Sequence, residues 1–496
     1  MPTPAETLIA DLRKATLLNS IAGILDWDQQ VNLPPGSTEW RARQMEVFSP
    51  LCHKAATHPR IGRSLDALDA KGEATTAEEK VLRRCARRDY ERLTKLPARF
   101  VAQKALLDSR SFQAWSEAKK NGDFKKFAPF LTKEITLSRK RAALIGALDP
   151  YGEMIDSFSP GMTVGRIEEL FSELKAGLVP LSEKILASPV KAKPDLIRDV
   201  PTEKQLSFLK KVTAALGYDY SRGRVDVSEH PFSTGNYFDN RITTHFKQDN
   251  VISSLFSSIH ETGHAMYEQG LPPEWIGTPL GEAVGMAVHE SQSRLWENQV
   301  GRSRAFWKYW EPIMRREFSP HLDAVSFEEL YLSINEVSRC LVRTDSNEVT
   351  YNLHVILRFE LEKRLIDGSL QIKELPAEWN RLSQELLGVT PRNNTEGCLQ
   401  DVHWATGLFG YFPSYCLGNM IAAQLWYAVH KEIPAIEEDF AIGKFDRLLG
   451  WLRTHVHCKG RRLETEELLE EVTGEKISPK YLLKYLSERY GPLYLR

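Results

Sequence analysis

His260-Glu261-Thr262-Gly263-His264 sets two imidazoles four residues apart, with a carboxylate directly after the first. Leu255, Phe256, Ile259 and Met266 around the segment predict a helix. On a helix, residues four apart differ by about 40° in direction, so both imidazoles project from one face towards one point. Glu261 lies beside them, within reach of a metal-bound water without being a ligand. That arrangement fits a hydrolytic zinc site, in which two histidines bind and the glutamate takes the proton of water. Gly263 costs a helix roughly 1 kcal/mol relative to alanine, so its place in the motif predicts that another element packs closely there. Five residues alone are only moderately specific, because paired histidines on a helix can be merely hydrogen-bonded.

A hydrolytic zinc needs a third protein ligand and an open fourth position. A glycine three residues and a histidine six residues after His264 would complete one known solution, but Tyr267 and Gly270 stand there. A glutamate on a following helix is the other common solution. The candidates are Glu268, Glu274, Glu282, Glu290 and Glu297. Glu274 sits in a proline-flanked loop, and Glu268 shares the histidines' helix, where one short turn leaves it poorly placed to close the site. Between Glu282, Glu290 and Glu297 spacing does not decide.

The elements that must position these groups read as helices. Leu8, Leu12, Ala15, Leu18, Ala22 and Leu25 recur at helical intervals, as do Ile167, Leu170, Phe171, Leu174 and Leu178. Val349, Leu353, Ile356, Leu357 and Leu361 do so again, with Gly368 as a stop. Ser478 and Pro479 predict the start of a last helix, and Gly491 its end. Alternation is concentrated in residues 223–247, where Val225, Val227, Ile242 and Thr244 predict a hairpin or two strands. Proline-containing stretches at 188–201 and 271–280 read as loops. The basic clusters Arg83-Arg84 with Arg87-Arg88, and Arg139-Lys140-Arg141, read as solvated helix faces. No repeat or low-complexity tract stands out. The expectation is a mainly α chain: one catalytic unit over 1–496, with a small β element next to the zinc helix.

Apolar residues make up 42% and charged residues 26%, ordinary for a soluble globular protein. Lysine plus arginine (65) nearly cancel aspartate plus glutamate (66), so net charge points to neither nucleic acid nor an anionic membrane as partner. The start acquires acidic residues before any apolar run, which argues against a secretory signal, and no apolar stretch approaches the roughly 18–20 residues of a membrane helix. The six cysteines are scattered, without a CxxC pair. A cytoplasmic enzyme is the default expectation.

Beyond the zinc helix the chain resembles the carboxypeptidase Taq family of zinc metallocarboxypeptidases over most of its length. HETGHAMYEQG is followed by HESQSRLWEN, starting at His289, and the resemblance implies Glu290 as the third ligand. Asp239-Asn240-Arg241-Ile242-Thr243 is similar to the family's DxRxT motif. Gly397-Cys398-Leu399-Gln400-Asp401-Val402-His403-Trp404 is similar to GxxQDxHW, and Leu25-Asp26-Trp27-Asp28-Gln29 followed by LPPG resembles the N-terminal part. One motif departs. Where the family has I/V-R-x-x-A-D, this chain has Val342-Arg343-Thr344-Asp345-Ser346-Asn347, with serine and asparagine for alanine and aspartate. Loss of that carboxylate is expected to bear on the orientation of Arg343.

The resemblance implies a zinc-binding core at about 222–300, substrate-groove motifs at about 340–420, a saddle-like helical body with a deep groove, and commonly a homodimer. Its activity would be hydrolysis of the C-terminal peptide bond, releasing single amino acids from peptides with a free C-terminus. Glu261 is then the general base, and His403 the favoured donor to the oxyanion, with Tyr411 and Tyr415 as the other candidates. Arg343 and Arg241 are candidates to hold the substrate carboxylate through a planar fork, and Gln400 belongs to the same substrate-binding motifs. Arg241 also lies in the apparent strand before the zinc helix, where an edge strand would pair with an extended peptide and suit broad specificity. His289 and Asp401 are candidates to orient ligands; His245 and His354 read as ordinary polar residues near the core. Co²⁺ or Mn²⁺ would also suit two histidines and a carboxylate. The alternatives are a helical zinc oligopeptidase that cuts internally and a catalytically weak peptide-binding relative. No amine-recognition segment precedes His260, which disfavours an aminopeptidase.

Overall fold

The computed structural model describes residues 2–72, 76–194 and 196–495, so residue 195 of the 188–201 loop lies outside the described residues. Helices run through most of the chain, from Pro4–Val31 to Pro479–Tyr494. Local sequence sets many of their ends. Thr3 and Glu6 form a reciprocal cap before the first helix, with Pro4 at its first position. Asn250 caps Val251–Glu268 by accepting from the Ser253 amide, and Asn347 caps Glu348–Asp367 by accepting from the Thr350 amide. Gly368, at φ +91°, closes the second of these.

The apolar stripe of Val164–Leu186 faces inward as expected. On the first helix Leu8 and Ala15 are buried, while Leu17, Ile21 and Ile24 on the far face stay exposed. Glu348–Asp367 differs: Asn352, His354, Arg358 and Glu362 are buried along with its leucines, and only Glu360, Lys363, Arg364 and Asp367 near its end reach solvent, so it is a central helix. The last helix also departs from expectation, running through Gly491 to Tyr494. Leu493 and Tyr494 are buried, and the Tyr494 hydroxyl donates to the Asn335 carbonyl at 3.0 Å. Packing overrides the stop signal there.

Of the two sequence expectations for 223–247, separate strands hold and the hairpin does not. β1 (Gly223–Val227) pairs parallel with β3 (Asn240–Thr244), with Val225 opposite Ile242. The antiparallel partner of β3 is β2 (Ser233–Gly235), giving the order β1-β3-β2. Val225 and Ile242 therefore belong to no simple hairpin, and β3 with Arg241 is the central strand, its backbone bonded on both sides. It cannot be the edge that receives a peptide. Instead it supports the next helix: the Ser258 hydroxyl donates to Thr244 Oγ1 at 2.8 Å.

The basic clusters are only partly solvated: Arg84 and Lys140 are exposed, whereas Arg87 pairs with Asp66 and Asp69, and Arg88 with Asp156. Arg139 donates to the carbonyls of Leu365 and Ile366, satisfying the end of the central helix. One continuous apolar core gathers residues between Ala118 and Tyr494. Earlier helices pack through small clusters, such as Leu8 with Ile61, Leu65, Leu68 and Ala86. Among the described residues no helix is long and apolar enough to cross a membrane.

Candidate active site

Three helices meet at the histidine motif: Val251–Glu268, Met286–Arg294 and Phe412–Glu432. Two glycines let them approach. A Cβ on Gly263 would lie 2.6 Å from Ser293 Cα, and one on Gly418 would lie 2.6 Å from Glu290 Cγ. The close packing predicted at Gly263 is thus with the helix that carries Glu290. That helix continues as a π-turn over Leu295–Val300. This rare widening occurs often at functional sites, and here Glu297 on it faces His260.

His260 Nε2, His264 Nε2 and one oxygen of Glu290 converge. The two nitrogens are 3.2 Å apart, and Glu290 Oε2 lies 3.6 Å from the first and 3.4 Å from the second. Metal bonds of about 2.0–2.1 Å in tetrahedral geometry require donors about 3.3–3.4 Å apart. The three donors fit a divalent ion of that size without rearrangement, and among the described residues this is the one such cluster of three.

Neighbouring hydrogen bonds aim the imidazole lone pairs. His260 Nδ1 donates to Glu297 Oε2 at 2.8 Å, freeing Nε2. His289 Nε2 donates to Glu268 Oε1 at 2.9 Å, and its Nδ1 then accepts from His264 Nδ1 at 2.6 Å. His264 is left with an unprotonated Nε2 facing the site. Burial pushes His264 down to about 3, so it is neutral, as a ligand must be. Burial alone would raise Glu290, but Arg294 and the imidazoles outweigh it and hold the carboxyl well below its usual range. At Glu261 burial outweighs the attraction of His260 and pushes the carboxyl up to about 7, a suitable value for a general base near neutrality.

His260 and Glu261 line a cavity of about 420 Å³ that extends past Arg294 and Arg302 to Arg343 and Tyr351. Arg343 is buried yet reaches this cavity. Its Nε and Nη2 donate to Asp401 Oδ1 at 3.0 and 2.8 Å, and its Nη1 donates to the Tyr351 hydroxyl at 2.8 Å. Among the described residues, one N–H on each terminal nitrogen has no hydrogen-bond partner. Asp401 also accepts from Arg358 Nε at 2.7 Å, so two arginines share a single carboxylate. Burial opposes ionisation of Asp401, but the two guanidinium groups outweigh it and hold its carboxyl far below the usual range. Asp401 therefore orients Arg343 and not a metal ligand.

The other predicted residues are placed as follows. The Gln400 amide is fully used within the protein: its oxygen accepts from Arg343 N and Arg358 Nη2, and its nitrogen donates to the carbonyls of Leu341 and Glu396. It supports Arg343 and has no polar atom left for substrate, contrary to expectation. Arg241 forks onto Asp239 at 2.8–2.9 Å and stacks 4.2 Å from Trp27. It lines a different cavity, against the first helix, and is not brought to the metal donors. His403 Nε2 is bonded to the Tyr415 hydroxyl at 3.1 Å, and the Tyr415 ring lies 4.8 Å from the Arg343 guanidinium. Tyr411 packs 5.3 Å from Tyr415, so His403, Tyr411 and Tyr415 form one partly exposed cluster beside Arg343. Glu282 is paired with Arg461. Asn347 caps its helix and does not touch Arg343, while the Ser346 hydroxyl donates to the Arg343 carbonyl at 2.7 Å. Arg294, Tyr351 and Arg358 escaped the sequence expectations. Arg294 follows Glu290 by four residues, a same-face spacing that would have marked it.

The chain matches the family profile described as "Carboxypeptidase Taq (M32) metallopeptidase" over residues 7–490. It is 39% identical to "Thermostable carboxypeptidase 1" of Thermus thermophilus, across 99% of this chain and 98% of that protein. It is 35% identical to "Carboxypeptidase 1" of Bacillus subtilis, across 98% and 97%. The crystal structure of an M32 carboxypeptidase from Deinococcus radiodurans R1 superposes with a TM-score of 0.96 at 40% identity, covering 99% of this chain and all of that one (100%).

Proposed function

We propose, for a chain that belongs to the carboxypeptidase Taq (M32) family of metallopeptidases, that it is a zinc-dependent carboxypeptidase releasing single residues from free peptide C-termini with broad side-chain specificity. Metallocarboxypeptidase activity comes with the family; zinc, the breadth of specificity and the residue roles are the proposal. His260, His264 and Glu290 hold the ion. When bound there, zinc supplies Lewis acidity and lowers the pKa of water towards neutrality.

Glu261 takes a proton from the attacking water and returns it to the leaving amine. Its raised pKa, from burial beside the histidines, suits both transfers. The unused N–H groups of Arg343 receive the substrate's terminal carboxylate as a charge-assisted pair. The single observation that carries an exopeptidase reading is buried Arg343, which shares its one carboxylate partner, Asp401, with Arg358 and opens on the same cavity as His260 and Glu261. An enzyme that cuts internally has no use for a positive excess at that point. His403, with Tyr411 and Tyr415, is the proposed donor cluster for charge developing on the scissile oxygen. Ile252, Phe256 and Leu330 share the lining with Ser253, Ser257 and Lys247, a mixture that supports acceptance of many side chains.

All six cysteines are unpaired, which supports a cytoplasmic setting, and one catalytic unit over 1–496 is proposed. Homodimerisation is proposed on the family resemblance alone; light scattering of the purified protein tests it. The activity test is release of C-terminal residues from a peptide panel, each peptide with a free or amidated terminus. Free termini are expected to be trimmed one residue at a time and amidated ones spared. Equal cleavage of both would replace this reading by an internal-cutting peptidase. Glu261→Gln is expected to keep its metal and lose about 10²–10⁴-fold in kcat.

A further inference from the structure

The two oxygens of Glu290 keep different company. Oε2 points at the two histidine nitrogens. Oε1 accepts from Arg294 Nε at 2.7 Å. The same guanidinium donates through Nη1 to Glu297 Oε2 at 3.1 Å, the oxygen that also receives His260 Nδ1–H. Arg294 is itself held, stacked 4.4 Å from the Tyr351 ring. One side chain thus touches one ligand directly and a second through its hydrogen-bond partner. We propose that Arg294 makes Glu290 a one-oxygen ligand, pinning its second oxygen away from the metal so that a coordination position stays open for substrate. The inference rests on the metal-site reading above.

The chemistry behind it is simple. A free carboxylate can bind a cation through one oxygen or through both, and a catalytic site must keep a position unfilled. Glu290 is buried and packed at its Cγ against the helix bearing Gly418. Its stem is fixed, and the remaining freedom is the contest for Oε1 between the ion and Arg294. A guanidinium wins that contest at any working pH, because it does not deprotonate. Its planar fork also matches the layout, one arm for Glu290 and another for Glu297. Lysine, a point donor on a flexible stem, could not hold both. Arg294 is therefore a positioning residue, acting on the reaction through Glu290 and His260.

The test is spectroscopic and needs no substrate. Purified protein is stripped with chelator and reloaded with Zn²⁺ or Co²⁺. X-ray absorption at the zinc edge counts the bonded light atoms, and the visible bands of the cobalt form weaken as coordination number rises. In the wild type, a count consistent with one Glu290 oxygen is expected; two oxygens within bonding distance would overturn the proposal without any variant. In Arg294→Leu the count is expected to rise by one, the cobalt bands to lose intensity, and metal affinity to fall by about 10–100-fold. Arg294→Lys, keeping one donor for Oε1, is expected to retain the wild-type spectrum while binding metal more weakly. An unchanged count and spectrum in Arg294→Leu would reduce Arg294 to a structural counter-charge and overturn the proposal. Failure of the wild type to bind either ion would instead overturn the metal-site reading itself.

Discussion

At one end of the cavity one arginine serves two carboxylates, and at the other end one carboxylate serves two arginines. Arg294 bonds Glu290 and Glu297, with Arg302 reaching Glu297 only at 3.8 Å. Asp401 bonds Arg343 and Arg358. Glu261 adds a third acidic group to the first end, where burial of His260 is outweighed by Glu290 and Glu297, which hold it above its ordinary value. Burial pushes His264 and His403 down to about 3, so they add no charge. The first cluster is rich in carboxyl groups and the second has one guanidinium more than its carboxylate balances. Buried ions are costly unless paired, so each end favours an arriving partner: a dication at the first, a carboxylate at the second. On the proposed function, the difference between the ends is what turns a metal hydrolase into one that counts from the C-terminus.

The strongest way to break this comparison is to remove the lone carboxylate. Asp401→Asn leaves Arg343 and Arg358 facing each other inside the protein. A loss of about 3–5 kcal/mol of unfolding free energy is expected at neutral pH, measured by denaturant titration. The pH dependence has a definite sign. The folded Asp401 carboxyl lies far below its ordinary value, the two arginines outweighing burial. The unfolded chain therefore takes up this proton first on acidification, and the wild type loses the stabilisation progressively below about pH 4. The variant should lack that part of the acid limb. An unchanged unfolding curve would mean that the second cluster does not depend on Asp401.

Arg343→Gln sharpens the comparison by separating its two ends. It removes the fork that faces the cavity while leaving the metal donors untouched. For free-acid peptides kcat/KM is expected to fall about 10- to 100-fold, from about 1.5–3 kcal/mol for hydrogen bonds to a charged group. Amidated peptides, spared by the wild type, should stay uncleaved, and zinc affinity and unfolding stability should stay at their wild-type values. If stability or zinc affinity fell along with kcat/KM, Arg343 would be supporting the fold and not reading the terminus.

The two ends were not equally legible in the sequence. His260 and His264 announce themselves, because a four-residue step on a helix needs no tertiary information. Glu290 did not. Spacing left it level with Glu282 and Glu297, and only the family element HES-Q separated them. The structure shows why: Glu297 is also at the site, on a π-turn that periodicity cannot foresee, but it faces the back of His260. The second end depends on pairings between distant segments, as when Arg343 and Arg358 meet Asp401 from a separate loop. The central helix gave no polar stripe to flag Tyr351 or Arg358, since from Glu348 to Phe359 it is buried all round. Arg241 shows the converse error. A strand motif suggested an edge, whereas strand order, a property of the assembled sheet, made it central.

The smallest expected effect concerns Asn347, where the family motif has aspartate. Position 347 lies on the cavity wall and four residues after Arg343, which suggested that a missing carboxylate would disturb that arginine. The side chain instead turns to its own helix: Oδ1 accepts from the Thr350 amide at 3.1 Å and Nδ2 donates to the Ser338 carbonyl at 2.6 Å. Asparagine and aspartate cap about equally well. Asn347→Asp would gain the attraction of a negative charge for the helix N-terminus, about 0.3–1 kcal/mol. It would lose the bond to Ser338, about 0.5–1.5 kcal/mol. The two terms oppose each other, so stability should move by less than about 1 kcal/mol and kcat/KM by less than about twofold, the latter because Arg343 keeps Asp401 and Tyr351 as partners. A tenfold change in kcat/KM with unchanged stability would place residue 347 in contact with substrate, and the positive excess at the second end would then be set by three groups and a variable fourth.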